Sequence, residues 1–126
     1  MKNQKFIITL FAAAILIAGF KFSATAELSE AKAREYLKRG ALVVDVRTVQ
    51  EFNTKRLTNV VNIPLAEVKE KFPSVVTNKS DLVLLHCLSG ARSGAAEREL
   101  RALGYTNVFN LGSFKKAEKI LRAPAR

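Results

Sequence analysis

Apolar residues in this chain follow two different patterns. Phe6 to Phe20 is one long apolar run without a charge. Beyond residue 26 the apolar positions come in short groups at strand or helix spacing, separated by Gly, Pro and polar clusters. Leu28 to Arg39 predicts a helix, with Leu28, Ala31, Tyr36 and Leu37 near one face and Gly40 at the C′ position. Ala41-Leu42-Val43-Val44-Asp45-Val46 predicts a buried strand. Gln50 to Arg56 predicts a short helix, Val60-Val61-Asn62-Ile63 a small strand stopped by Pro64, and Leu65 to Phe72 a helix closed by Pro73. Asn78-Lys79-Ser80-Asp81 reads as a turn and Leu82 to His86 as the central strand. Arg92 to Leu103 is the next helix, ended by Gly104. Asn107 to Asn110 is the last strand, with Gly112 opening a turn, and Phe114 to Leu121 closes as a helix before a basic tail.

Strands alternating with helices imply βαβ units. The expected fold is α/β, with a small, mostly parallel central sheet and helices on both faces. Ligands of such sheets bind beyond the carboxyl ends of the strands. No repeat or internal linker is visible, so residues 27–126 read as one domain.

The first 26 residues stand apart from that domain. Met1-Lys2-Asn3-Gln4-Lys5 is a positive start, the apolar run follows, and Ala24-Thr25-Ala26 is a small-x-small cleavage site. These features predict a signal peptide over residues 1–26, cleaved after Ala26, and a periplasmic or otherwise exported protein without stable membrane insertion after cleavage. The alternative is an uncleaved N-terminal anchor, which Lys21 and the short run argue against. Lys and Arg number 21 against 11 Asp and Glu; loss of Lys2, Lys5 and Lys21 leaves 18 basic residues against 11, a net charge of +7. The basic residues are mixed with acids and no aromatic-rich basic patch stands out. That argues against a nucleic-acid partner and for attraction of small anions.

The chain has one cysteine, Cys87, so it can form no internal disulfide. A lone thiol in an oxidising compartment is a liability unless it has a use. Cys87 lies where the predicted central strand passes into a helix, at the start of Cys87-Leu88-Ser89-Gly90-Ala91-Arg92-Ser93. Such a loop can aim several N–H groups at one point, and the helix that follows adds its positive dipole end. A thiol there should ionise easily, and the thiolate is the reactive form. The backbone of Leu88, Ser89, Gly90 and Ala91 would form the cradle, with Gly90 allowing the turn. Arg92 offers a planar fork to an oxyanion. A cation at a helix start opposes the dipole, which argues against an ordinary surface ion pair for Arg92. Ser93 is expected to cap the helix. Asp45 and Arg47 stand at a strand end as support for the loop rather than as catalysts, and Arg47 could pair with Glu51. His86 should face away from the Cys87 side chain as a packed core residue, because strand neighbours alternate sides.

His86-Cys87-Leu88-Ser89-Gly90-Ala91-Arg92-Ser93, with Asp45-Val46-Arg47, Glu51-Phe52 and Asn62-Ile63-Pro64 in the same order, resembles a single-domain rhodanese. The likeness spans roughly residues 28–121 and is strongest to the exported, stand-alone phage-shock-protein-E type of thiosulfate sulfurtransferase. The resemblance implies a cycle in which the Cys87 thiolate attacks the outer sulfur of thiosulfate, releases sulfite, and passes the sulfur of its persulfide to cyanide or a thiol. It implies that Arg92 holds the anionic donor and that no metal or organic cofactor is needed. The partners it implies are a small anionic sulfur donor and a thiophilic acceptor. The chain departs from the family at Lys55-Arg56-Leu57, where members often carry Gly-His-Ile, at Asn59-Val60 in place of Gly-Ala, and at Gly112-Ser113 in place of Gly-Gly.

Two other functions fit parts of the pattern. A sulfur carrier or anion-binding module would load Cys87 without turnover. A Cys-based phosphatase or arsenate reductase would also use a Cys–Arg loop. Phosphatase loops hold five residues between Cys and Arg, whereas Leu88, Ser89, Gly90 and Ala91 make four here. The shorter ring suits a persulfide sulfur better than a phosphoryl group.

Overall fold

A computed structural model describes residues 26–122. Residues 1–25 of the predicted leader and 123–126 of the basic tail lie outside the described residues. The described elements are α1 (Glu30–Lys38), β1 (Leu42–Asp45), α2 (Val49–Thr54), β2 (Val61–Asn62), a 3-10 turn (Leu65–Glu67), α3 (Val68–Val75), β3 (Val83–His86), α4 (Ala91–Ala102), β4 (Val108–Gly112) and α5 (Phe114–Arg122). The strands form one sheet in the order β2-β1-β3-β4, and every pairing is parallel. The expected α/β architecture is present, and β3 occupies an inner position.

Side-chain alternation divides the core into two layers. Val44, Val83, Leu85 and Cys87 pack toward α3 and α4, with Phe72, Val76, Ala96 and Leu100. Val43 and Leu84 pack the other way, with Ala33, Phe114, Ala117 and Ile120 from α1 and α5. Helices therefore cover both faces, as a parallel sheet requires.

Most boundaries move by one or two residues, and two readings are overturned. Pro73 does not close the helix it enters: α3 runs on to Val75. Phe72 and Val76 lie four apart on one face and are both buried, and the Val76 N–H still reaches the Phe72 carbonyl at 2.9 Å. That anchoring outweighs the one helical bond a proline removes near the helix end. Gly112 does not open a turn but ends β4, where His86 pairs with Gly112 although Leu85 pairs with Asn110. The extra residue is a bulge, and it brings the end of β4 against the loop that follows β3. Asn59 stands at φ +60°, a conformation that glycine adopts freely and asparagine tolerates. The Asn59 departure from the family pattern therefore keeps the backbone turn.

Candidate active site

Cys87 directly follows β3, and its residue surface is fully buried. Its N–H donates to the Gly112 carbonyl (3.2 Å), and the Phe114 N–H donates to the Leu88 carbonyl (3.1 Å). Ser89 forms an isolated antiparallel bridge with Ser113. These ties fix the loop against the end of β4. Gly90 turns it at φ +100° and serves as the N-cap of α4. A Cβ at Gly90 would lie 2.6 Å from the movable Glu27 Oε1 and 3.3 Å from the Gly112 Cα, so the positive φ and the close approach of the Gly112 backbone both favour glycine.

The sulfur accepts from the Gly90 N–H at 3.0 Å and from the Ser93 hydroxyl at 3.4 Å. Burial pushes the Cys87 thiol up, but hydrogen bonds from the Ser93 hydroxyl and from the amides of Ser93, Gly90 and Arg92 outweigh it and hold the thiol below its ordinary range. The amides belong to the first turn of α4, so the helix dipole points the same way. Leu88 and Ser89 are exposed at the mouth of the loop, and Ala91 begins the helix.

Ser93 is not a cap. It is fully buried, and its hydroxyl has four acceptors within reach: Asn110 Oδ1 (2.7 Å), the Gly90 carbonyl (3.1 Å), Cys87 Sγ (3.4 Å) and the Gly112 carbonyl (3.5 Å). Capping needs a side chain turned back to the helix start from outside it, whereas Ser93 sits one turn inside and faces the sheet. Asn110, which motif reasoning missed, also donates from Nδ2 to the Gly90 carbonyl at 3.1 Å. Only its place at the end of the last strand, two residues before Gly112, hinted at this role.

Arg92 is engaged in an ion pair, contrary to the argument from the helix dipole. Its Nη1 and Nη2 donate to Glu51 Oε1 (2.6 Å) and Oε2 (3.0 Å), with both side chains about one-third exposed. The helix-start penalty is met by an anion from α2 instead of by a ligand alone. The Arg92 guanidinium beside Glu51 pulls that carboxyl down to about 2, and Glu51 in turn raises Arg92.

Glu51 therefore does not pair with Arg47. Arg47 touches only the Glu51 carbonyl, at 3.5 Å, because its guanidinium is turned to the buried Asp45 carboxylate. Nη2 and Nε of Arg47 donate to Asp45 Oδ2 at 2.7 and 2.9 Å, and Nη2 also reaches the Lys55 carbonyl at 2.6 Å. Asn62 Nδ2 bridges the carbonyls of Asp45 (3.0 Å) and Arg47 (2.9 Å). This network fixes both ends of α2. Asp45 and Arg47 thus reach the Cys87 loop through α2 and the Glu51 it carries.

His86 lies on the opposite face from the sulfur, as alternation predicts. It packs edge-on to Phe114 at 5.8 Å, with Nδ1 3.2 Å from the Cys87 carbonyl and Nε2 without a hydrogen-bond partner. Burial keeps it below its usual range, against an opposing pull from Asp45.

A family model described as "Rhodanese-like domain" matches residues 27–119. The chain belongs to the rhodanese-like domain family. Thiosulfate sulfurtransferase PspE of Escherichia coli (strain K12) is 39% identical over 72 residues, which cover 57% of this chain and 69% of PspE. The solved structure of a rhodanese with anions from E. coli is 37% identical, with a TM-score of 0.58, over 60% of this chain and 89% of that one. The human single-domain sulfurtransferase TSTD1 shares the fold at 22% identity and a TM-score of 0.61, over 81% of this chain and all of that one (100%). Within the rhodanese-like frame, the departure at Ser113 has a local use. Its hydroxyl accepts from the Lys116 N–H at 3.1 Å at the start of α5. Leu57 is buried among the second set of core residues.

Proposed function

We propose that this rhodanese-like protein is a sulfurtransferase that moves the outer sulfur of thiosulfate, or of a donor of similar chemistry, through a persulfide on Cys87. The observation that carries this reading is the sulfur of Cys87 set under the Gly90 N–H and the Ser93 hydroxyl, with its thiol held below the ordinary range. The thiolate attacks the outer sulfur, the S–S bond breaks, and sulfite leaves with the bonding pair. The new terminal sulfur is anionic and meets the same converging amides, which stabilise the charge as it develops. A thiol or cyanide acceptor then takes that sulfur and regenerates the thiolate. Arg92 would hold the sulfonate end of the donor through N–H groups not used by Glu51. Leu88, Ser89, Gly90, Ala91 and Ser93 complete the wall.

The same reading takes residues 27–126 as the working domain, released by cleavage after Ala26 into the periplasm or another exported compartment. Among the described residues no helix is long and apolar enough to cross a membrane.

Steady-state thiocyanate formation from thiosulfate and cyanide tests the activity, with intact mass as the second readout. Continuous turnover, a gain of one sulfur atom localised to Cys87, and loss of both in Cys87→Ser are expected. A single stoichiometric burst without turnover would make the protein a sulfur carrier instead. No sulfur gain at all would overturn the proposal.

A further inference from the structure

Glu51 is a negative charge built into the wall of a site that would bind negative donors. It reaches Arg92 from 41 positions away in the chain and uses both carboxylate oxygens to do so. It is also fixed from behind, because Oε1 accepts from the Thr48 N–H (3.3 Å) and the Thr48 hydroxyl (3.2 Å) in a capping box at the start of α2. Two of the five guanidinium N–H groups of Arg92 are spent on this pair, which leaves others for a ligand. Two further cations near the loop also face carboxylates. Arg47 is paired with Asp45, and Lys116 Nζ lies 3.3 Å from Glu27, whose carboxylate rests against Gly90 and Gly112. These three ion pairs cancel in charge, and ionised Cys87 adds a negative charge.

We propose that Glu51 is a charge filter: by cancelling Arg92, it makes the site favour sulfur donors with one negative charge or none over dianionic donors of the same reacting group. The inference rests on the sulfurtransferase reading and ranks the donors of that site: Glu51 lowers the preference for dianionic thiosulfate relative to organic thiosulfonates and hydropersulfides. Glu51 is ionised at any working pH, since Arg92 holds its carboxyl at about 2. The chemistry is the same for both donor charges. With thiosulfate, the thiolate gains the outer sulfur and sulfite departs. With methanethiosulfonate, it gains the same sulfur and methanesulfinate departs. In each case one S–S bond forms, one breaks, and the leaving group takes the electron pair.

The test compares kcat/KM for thiosulfate and for methanethiosulfonate in the wild type, Glu51→Gln and Glu51→Asp. Gln keeps the capping box and an acceptor for Arg92 while removing the charge. The thiosulfate-to-methanethiosulfonate ratio should rise about tenfold in Glu51→Gln, the size of one carboxylate acting on one extra substrate charge through a partly screened medium. Glu51→Asp, which keeps the charge, should stay within about twofold of the wild-type ratio. Equal changes for both donors in Glu51→Gln would overturn the filter. If the wild type transfers sulfur from neither donor, the sulfurtransferase reading fails. The filter is then read from protection of Cys87 against iodoacetamide by sulfate and by methanesulfonate. A gain of about tenfold in sulfate's relative protection in Glu51→Gln supports it, and no gain overturns it.

Discussion

Ser93→Ala separates what the hydroxyl does for the sulfur from what the amides do. In the wild type one hydroxyl proton serves both Asn110 Oδ1 at 2.7 Å and Cys87 Sγ at 3.4 Å. Ionisation of the sulfur draws that proton toward it. A hydrogen bond to a charged group contributes about 1.5–3 kcal/mol, and the length and sharing of this one place it near the lower end. Loss of about 1.4 kcal/mol reduces the thiolate fraction about tenfold at a pH well below the thiol's titration. Each remaining thiolate is more basic and so more nucleophilic, by about threefold for a Brønsted slope of 0.4–0.5. The net effect is a fall of about three- to fourfold in iodoacetamide alkylation on the acid limb, well below the titration midpoint, with that midpoint displaced upward. Above that midpoint the order reverses, and Ser93→Ala reacts about threefold faster than the wild type. The two pH–rate curves must therefore cross. The substitution also leaves Asn110 Oδ1 buried without its donor and should destabilise the fold by about 1–3 kcal/mol, readable in a urea titration. General damage to the loop would slow alkylation at every pH. Curves that run parallel, or a midpoint that does not move, would show that the amides alone hold the thiolate.

Two further outcomes concern buried polar groups, and a third the turn at Gly90. Asp45→Ala strands the Arg47 guanidinium, which is only 5% exposed, and should destabilise the protein by about 3–5 kcal/mol in denaturant unfolding; a loss under 1 kcal/mol would mean that the network is not holding α2. Burial lowers His86 below the ordinary imidazole value of about 6.5, so the unfolded chain takes up its proton first as pH falls. Stability should therefore decline from about pH 6.5 downward with a slope of up to about 1.4 kcal/mol per pH unit, until the folded ring itself protonates. His86→Phe should flatten that limb, and an unchanged slope would assign it to other groups. Gly90→Ala forces a Cβ to 2.6 Å from Glu27 Oε1 at φ +100°, and should destabilise by about 1–3 kcal/mol while slowing Cys87 alkylation. Adding Glu27→Ala relieves the clash but not the φ, so only part of the stability should return. Full recovery would refute the strain argument.

The parts of the site that lie close together in sequence were legible before any coordinates. Cys87 to Ser93 is a local loop, and a strand, a glycine and a helix start are enough to place its amides. The opposite facing of His86 and Cys87 follows from strand periodicity alone. What the sequence hid are contacts between distant segments. Glu51 and Arg92 meet only because α2 and the start of α4 stand side by side at the carboxyl end of the sheet. Helix spacing instead suggested Arg47 as the partner of Glu51, but the short β1–α2 turn lets Arg47 fold back on Asp45. Ser93 looked like a cap because hydroxyls near helix starts often are. Its real partner, Asn110, lies 17 positions away on a strand whose bulge could not be foreseen. Pro73 was read as a stop because local rules register the missing N–H and not the burial of Phe72 and Val76 on either side of it.

These particulars bear on where the field at the sulfur comes from. The chain is strongly basic, at +10 overall, and it would be natural to credit that charge with activating Cys87. The geometry argues otherwise. Arg92, Arg47 and Lys116 each face a carboxylate within 3.3 Å, so their influence is largely cancelled at short range. The groups that lower the thiol are neutral dipoles: the amides of Gly90, Arg92 and Ser93 and one hydroxyl, all fixed by the turn into α4. Fixed dipoles in a buried setting are screened weakly by salt, whereas exposed charges are screened within about 8–10 Å at ordinary ionic strength. A site built from dipoles can hold a thiolate, and then a persulfide, without a bare cation that would bind every passing anion. The net positive charge is left to act at longer range, on the approach of anions to the surface.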